Sequence, residues 1–465
     1  MTMGIQLDWE IEQSRGGQRH YEDDPQERGK GWRSALRFVF VLGAFLLLLG
    51  GTIFLIAQRL EQVDARTEQL LRDTVAAEVA SLRIGDRVTF QNLQRSATRD
   101  WLDAQLIFYD QVQQAKTEGL SLTGRIVDLA IDGQRARVRV EEIQGGVPYV
   151  RTWFYWRYGA TEDDSGGWFH VPPDYTFWGE EGLVQRRRLT VRHRTMDETF
   201  ALALANQVQA WLDFACETLN CASVGHLTLD VVASTLPRSL WAEGQAWQLI
   251  IASPYVGRAR LDQPFDSTIQ LDVATRLAER LTISQGPGLA QAQPYADSAY
   301  LRQAIIAWLV GRFVQQDTGV RLIDSLYSTY GPQSLGRLAQ NVQPADSIEV
   351  LARVLGLPDV GQAALDWRDF LAWRLNTEAQ LLAERNEAAW AAFYAMTDPG
   401  VASVARQRYN INATRQEYRV ASATLQRSSS GLPQLVATVE VGSGSLWRQE
   451  LIVFNLVDGR WLRAS

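Results

Sequence analysis

The chain has 465 residues, of which 46% are hydrophobic and 21% are charged, with a formal net charge of −7. This content supports several packed domains and differs from that of a disordered chain. The negative charge balance, and the lack of a basic tract with interleaved aromatic residues, argue against nucleic acid as a partner.

One long uncharged stretch lies near the N-terminus. Residues 38–58 read FVFVLGAFLLLLGGTIFLIAQ and are flanked by Arg37 and Arg59. A helix needs about 20 apolar residues to cross a bilayer core of roughly 30 Å, whereas the apolar part of a cleaved signal is usually about 7–15 residues long. We therefore predict a single retained transmembrane helix over residues 36–58.

The basic residues around this span predict its orientation. An excess of Lys and Arg marks the cytoplasmic flank of a membrane helix. The basic residues are Arg19, Arg28, Lys30, Arg33 and Arg37 before the span, and Arg59, Arg66 and Arg72 after it. We predict a disordered cytoplasmic tail over residues 1–35 and an extracytoplasmic location for the residues after the span, in a single-pass protein of the cell membrane.

Beyond the membrane the pattern is first helical and then strand-like. Apolar residues recur at helical spacing between Leu60 and Val79 and stop before Gly85, which predicts a stalk helix. A second helix is predicted around residues 99–116. From there the period of the apolar residues changes to two, which is typical of half-buried strands.

The strand-like pattern occurs twice in the chain. Residues 124–158 predict three alternating strands, followed by a short strand that carries Trp168. Residues 417–456 predict three more, followed by a short strand that carries Trp461. Because helices precede both copies, we predict an α+β fold in which helices pack on one face of a curved sheet.

This arrangement resembles the NTF2-like (SnoaL-like) cone, in which helices and a strongly bent sheet surround a cavity. The resemblance covers residues 67–180 and 377–465 and implies NTF2-like domains over residues 59–185, with the stalk, and 377–465. In that superfamily the cavity is sometimes catalytic and often only a binding or dimerising surface. The first copy is rich in aromatic residues, which we interpret as core and edge packing, with an aromatic-lined pocket for a glycan or lipid group as the alternative. These are Trp153, Tyr155, Trp156, Tyr158, Trp168, Tyr175, Phe177 and Trp178.

The middle segment, residues 186–376, has a different pattern. It alternates strands with helices and ends in a long helical stretch. That stretch is similar to the tail of gluzincin (peptidase MA-like) metallopeptidases, with a helix ending at Tyr330, a turn over residues 351–357, and a helix whose Trp367 and Phe370 face inward. The resemblance implies that the zinc-binding helix lies upstream, in LDVATRLAERLT.

The metal-binding residues of that family are replaced here. Active members carry H-E-x-x-H on this helix, where two histidines one turn apart bind zinc and the glutamate is the base. The matching positions are Thr275, Arg276 and Glu279, and the family's third ligand, a glutamate, corresponds to Gln303. Thr and Gln are poor zinc ligands, and Arg276 repels a dication. We therefore predict a degenerate, non-catalytic peptidase domain with no metal and no other cofactor.

Other residues that bind metals elsewhere form no motif. No two histidines have H-x3-H spacing, and each is predicted to be structural; they are His20, His170, His193 and His226. Three irregularly spaced aspartates are predicted to be solvated or to cap rather than to bind calcium; they are Asp262, Asp266 and Asp272.

The two cysteines, Cys216 and Cys221, lie five residues apart. On the oxidising side of a membrane they suit a disulfide, provided that the helix breaks near residues 219–220. Two buried free thiols are the alternative.

Three functions are compatible with these patterns. We favour a membrane-anchored, non-catalytic binding or scaffolding protein whose degenerate cleft still accepts an extended peptide, paired with an edge strand near residues 247–252. The first alternative is a metal-independent enzyme that uses an NTF2-like cavity, with Asp110 and His170 as candidate acid–base residues. The second is a purely structural cell-envelope protein.

Overall fold

The fold begins with one continuous helix, α1 (Glu27–Ile84). The computed structural model describes residues 27–159, 166–219, 221, 224–410, 416–429, 431–443 and 446–464. Within these residues, α1 is the one helix long and apolar enough to cross a membrane. Phe40 and Leu47 are 77% and 78% exposed, as expected of side chains that face lipid. The helix ends directly before Gly85, at φ +80°, which confirms the predicted stop.

The start of α1 differs from the expected tail. The tail prediction for residues 1–26 lies outside the described residues, but residues 27–35 are helical. Glu, Arg, Lys and Ala are good helix formers, and adding a turn to an existing helix is far easier than nucleating one. The contacts divide the chain into two units, Met1–Val75 and Ala76–Ser465.

The first sheet is the predicted antiparallel meander. Its elements are α2 (Arg87–Asn92), α3 (Arg99–Thr117), β1 (Leu120–Asp132), β2 (Arg135–Gln144), β3 (Val147–Tyr158) and β4 (Gly167–Val171). The strands pair in the order β1-β2-β3-β4. The turn between β2 and β3 consists of Gly145 and Gly146, both at positive φ, which is the backbone that a two-residue hairpin requires.

The middle of the chain, which starts before the predicted boundary after residue 185 and ends beyond residue 376, contains a mixed sheet covered by helices. Its elements are β5 (Glu181–Gln185), β6 (Leu189–Arg194), α4 (Glu198–Leu219), β7 (Leu227–Val232), β8 (Leu240–Trp241), β9 (Gln248–Ala252), β10 (Arg258–Arg260), α5 (Ser267–Ser284), α6 (Pro287–Ala290), α7 (Asp297–Val314), α8 (Arg321–Tyr330), α9 (Pro332–Asn341), α10 (Val350–Leu355) and α11 (Arg368–Ala383). Strands β6, β7 and β9 are parallel, and β5 and β8 are antiparallel at the two edges. The predicted inward packing of Trp367 and Phe370 is confirmed, since both are buried.

The strand order corrects one expectation. Strand β9, which covers most of the segment proposed as an edge strand, is paired with β7 on one side and with β8 on the other. The edge is β8, whose two residues are too few to show a strand period in the sequence.

The C-terminal part repeats the first meander. Its elements are α12 (Glu387–Ala391), α13 (Pro399–Asn410), β11 (Glu417–Arg427), β12 (Pro433–Ser443), β13 (Leu446–Val457) and β14 (Arg460–Arg463). The strands pair in the order β11-β12-β13-β14, all antiparallel. Helix α11 packs on β11, and the Asn376 side chain bonds the backbone N–H and C=O of Tyr418 at 3.1 Å each. The predicted domain boundary between residues 376 and 377 therefore falls inside a helix.

The segments share contacts across the other predicted boundary, between residues 185 and 186. Strand β10 pairs with β3 and extends the first sheet. The fully buried carboxylate of Asp197 accepts hydrogen bonds from Trp178 Nε1 at 2.8 Å and from the Ser253 hydroxyl. Burial raises the pKa of Asp197 above its ordinary value. One hydrophobic cluster includes residues of β3, β7 and β14, so Ala76–Ser465 is a single compact unit, and the boundaries within it remain a prediction.

Candidate functional sites

A groove of about 480 Å³ lies between α5, the end of β9 and the loop of residues 236–239 that precedes β8. Asp266 caps α5 by accepting hydrogen bonds from the N–H groups of Thr268 and Ile269, as capping was predicted for it. The walls are mainly apolar, with two arginines and two carboxylates. The lining residues are Leu236, Pro237, Arg238, Ser239, Ile251, Ala252, Thr268, Ile269, Leu271, Asp272, Thr275, Arg276 and Glu279.

Three of the four predicted peptidase positions line this groove. Thr275 and Glu279 are one turn apart on α5, and the Thr275 hydroxyl donates to the carbonyl of Leu271 at 2.7 Å. Arg276 donates from Nε to the Ser239 carbonyl at 3.1 Å and lies 3.5 Å from the Glu279 carboxylate. The Arg276 guanidinium thus lies beside Glu279, which is the one carboxylate among the four predicted peptidase positions.

The fourth position, Gln303, does not join them. It is exposed on α7 and is not among the groove-lining residues. Leu301, Ala304, Ile305 and Trp308 are the buried residues around it, and this helical period places position 303 on the opposite face of α7. Of these two helices, α5 lines the groove and α7 does not.

The remaining residues considered as metal ligands have other partners. Among the described residues, no group of three or more His, Cys, Asp or Glu side chains is arranged to hold a metal ion. Asp262 pairs with Arg260, and Asp272 accepts from the Ser239 N–H. His193 Nδ1 lies 2.9 Å from the Arg194 carbonyl, and His20 lies outside the described residues.

Cys216 and Cys221 form a disulfide with a Cα–Cα distance of 4.7 Å. Helix α4 ends at Leu219, so the two cysteines are not on one continuous helix.

A second candidate site is built around Glu78, which lies in the last part of α1 and is fully buried. Its Oε1 accepts from Gln94 Nε2 at 3.0 Å and lies 2.7 Å from His170 Nδ1. Its Oε2 accepts from the Tyr155 hydroxyl at 2.7 Å. Burial, and then the neighbouring Glu78 charge, raise the pKa of Tyr155 well above its ordinary value, so this phenol keeps its proton at neutral pH.

A cavity of about 170 Å³ adjoins this cluster. Its aromatic wall includes Trp101, Phe108 and Trp153, and the His170 ring lies 5.5 Å from each of the two tryptophan rings. Of the two acid–base candidates, His170 lines this cavity. Asp110 does not, since its side chain is 59% exposed and pairs with Arg87 at 3.5 Å.

The C-terminal meander carries a corresponding cluster around Glu378 of α11. Arg463 lies two residues after Trp461, just as His170 lies two residues after Trp168. Both residues also form an isolated parallel bridge to the segment that follows a helix, His170 with Gln94 and Arg463 with Tyr394.

The partners of Glu378 differ in charge from those of Glu78. Arg463 Nη1 donates to both Glu378 oxygens at 3.2 Å, and Arg408 Nη2 lies 3.3 Å from Oε1. The Tyr394 hydroxyl also donates to Oε1. Glu378 is thus held by two arginines and a tyrosine, whereas Glu78 is held by a histidine, an amide and a tyrosine.

His170 was among the predicted acid–base residues, but neither Glu78 nor Glu378 was predicted. Each is a single acidic residue at a position where the helical period expects an apolar one. Glu78 directly precedes Val79 in the apolar series that predicted the stalk helix, and that interruption was the available signal.

Comparison of the chain with protein-family models, with curated proteins and with solved structures finds no match. The gluzincin and NTF2-like resemblances therefore remain predictions, and the function is argued from the sites alone.

Proposed function

We propose that this chain is a membrane-anchored, non-catalytic binding or scaffolding protein, with its N-terminus in the cytoplasm and the residues after the span outside it. The observation that carries the proposal is the groove beside α5, which is the largest of the cavities described above, at about 480 Å³. Three of the four positions compared with the zinc site line it, whereas Gln303 lies on the exposed face of α7.

The chemistry of the groove favours binding over hydrolysis. Water activation in a gluzincin needs two imidazoles and a carboxylate base around one zinc ion. Here Thr275 uses its hydroxyl on its own helix, and Arg276 places a cation where the base would be. A polypeptide can still occupy such a groove, because apolar walls and an adjacent strand edge require no metal.

The ligand that fits best is an extended peptide. Strand β8 is an edge of the mixed sheet, so its outer side can pair with the main chain of an added strand. Ser239, directly before β8, lines the groove, but its N–H and C=O are already bonded to Asp272 and Arg276, so an added strand would pair with β8 itself. A peptide paired there would direct alternate side chains toward the apolar wall.

The test uses the full chain in lipid nanodiscs with short dye-labelled peptides of random sequence. Leu271 lines the groove and is 45% exposed, so Leu271→Arg should block the site without disturbing the core. We expect it to weaken peptide binding about ten-fold, the effect of losing one interface anchor. Gln303→Arg, on the exposed face of α7, is the matched control and should leave binding unchanged.

Three further measurements test the separate parts of the proposal. The peptides should remain intact by mass spectrometry after incubation, and protein exposed to equimolar zinc should retain none after gel filtration. Stoichiometric tight zinc binding would overturn the degenerate-peptidase assignment, and equal peptide binding by both arginine variants would overturn the groove as the binding site. In intact cells, external protease should digest the residues after the span but not the N-terminal tail.

A further inference from the structure

The hydrogen bonds around Glu78 determine the tautomer of His170. The side-chain amide nitrogen of Gln94 can only donate, and it shares Oε1 with His170 Nδ1. An oxygen that receives the amide proton and lies 2.7 Å from Nδ1 accepts from Nδ1 as well, so the Nδ1 atom carries the hydrogen. In the unprotonated form of the imidazole, the lone pair is then on Nε2.

Among the described residues, no donor reaches that lone pair. His170 is 6% exposed and lines the cavity of about 170 Å³. Within the part of the chain that the structure describes, Nε2 has no hydrogen-bond partner. Nε2 keeps some contact with solvent through this cavity, so a ligand that enters the cavity can replace water as the donor to it.

The size and walls of the cavity define what could supply that donor. An apolar cavity of about 150 Å³ is known to hold one benzene ring, so this cavity has room for a single six-membered ring. Trp101, Phe108 and Trp153 line it, and aromatic walls favour an aromatic ring. The polar part of the wall comes from Gln105, Thr152 and Arg151, and the charge of Arg151 is paired with Glu142 at 3.4 Å. We propose that this cavity binds a neutral one-ring aromatic molecule with an O–H or N–H group, which donates its proton to a hydrogen bond with His170 Nε2.

The C-terminal meander provides an internal comparison. At the position that corresponds to His170 it carries Arg463, whose guanidinium donates to Glu378. A guanidinium has five N–H donors and no acceptor, so the same ligand would find no acceptor there. The proposed site therefore belongs to the N-terminal copy, and it is independent of the groove beside α5.

The experiment compares two probes of nearly equal shape, 4-fluorophenol and 4-fluorotoluene. Ligand-observed fluorine NMR measures both on the full chain in nanodiscs, after subtraction of the signal from empty nanodiscs. We expect the phenol to bind about five-fold more tightly than the toluene, which corresponds to one ordinary hydrogen bond.

His170→Asn tests the acceptor directly. The Asn amide can still donate to Glu78 from the position of Nδ1, but it has no counterpart of Nε2. The preference for phenol over toluene should disappear in this variant and persist in His226→Asn, because His226 is exposed and contacts Thr190 instead. Binding of neither probe, equal binding of both, or a preference that survives His170→Asn would overturn the proposal.

A second measurement uses only the unmodified protein, so it does not depend on the variant folding. Diethyl pyrocarbonate acylates an unprotonated imidazole nitrogen, and peptide mapping locates the product. The phenol should slow acylation of His170 and leave that of His226 unchanged. Equal rates at His170 with and without phenol would contradict the proposed contact.

Discussion

The buried cluster at Glu378 allows a stability change to be worked out from its contacts. Glu378→Gln keeps the shape of the side chain and removes its charge. Glu378 and Arg463 are 4% and 2% exposed, so the guanidinium left behind has little access to water. Breaking one partner of a buried ion pair typically costs about 3–5 kcal/mol.

Two details place the expected change at the lower end of that range. Arg408, the other cation, has a side chain that is 28% exposed and can recover part of its hydration. The Gln carbonyl can still accept from the Tyr394 hydroxyl, which donates to Glu378 in the unaltered protein. We therefore expect a loss of about 3 kcal/mol in the free energy of unfolding.

The assay is urea denaturation followed by tryptophan fluorescence, with the change taken from the shift in midpoint at constant slope. Trp390 is a local reporter, because its ring lies 4.7 Å from that of Tyr394. Glu181→Gln is the matched control. It alters an exposed cross-strand pair with Arg194 at 3.0 Å, and such surface pairs contribute little.

A double variant tests whether the charges at Glu378 and Arg463 are coupled. Glu378→Gln combined with Arg463→Met removes both partners of the buried pair and leaves no stranded guanidinium at position 463. It should be more stable than Glu378→Gln alone, because replacing both members of a buried pair is far less damaging than breaking it. A single variant as stable as the Glu181→Gln control, or a double variant no better than the single one, would show that the charges at Glu378 are not coupled as described.

Three other outcomes follow from contacts outside this cluster. The pKa of Asp197 is raised above its ordinary value of 3.8, so its contribution to the free energy of unfolding is present below pH 3.8 and is lost as the pH rises through the folded-state pKa. The urea midpoint of Asp197→Asn should therefore increase relative to that of the unaltered protein as the pH rises. Gly288→Ala would force its Cβ into a backbone carbonyl oxygen just after α9, whereas Gly286→Ala meets only ordinary contacts at 3.7 Å; the first should lower the free energy of unfolding by about 1–3 kcal/mol and the second should not. Joint replacement of Cys216 and Cys221 by alanine opens a loop of five-residue separation, for which chain entropy gives a loss of about 2 kcal/mol, measurable as a lower midpoint that no longer responds to reductant.

Sequence reasoning succeeded where the signal is local. The meander strands were visible because each has a period of two and because turn glycines such as Gly145 and Gly146 separate them. The long apolar helix α1 could be predicted from its unbroken apolar composition. Periodicity and apolar composition are both properties of neighbouring residues, so these elements can be predicted without knowledge of the rest of the fold.

It failed where the structure depends on distant partners. Strand β10 has three residues and becomes a strand only because β3, about a hundred positions earlier, offers a free edge. Glu78 and His170 are 92 residues apart, and no sequence pattern around either residue predicts its contact with the other. The misassigned edge at β9 has the same cause, since periodicity identifies strands but not their order in a sheet.

Strand β10 also has a practical consequence for anyone who divides this chain. It covers the part of β3 that β4 leaves open, by pairing with Tyr149, Val150 and Arg151. A truncated protein that stops at residue 185 would expose that row of main-chain donors and acceptors to neighbouring molecules, and uncapped edges of this kind promote self-association. Expression of the N-terminal copy by itself should therefore extend past Arg260 or supply a substitute strand.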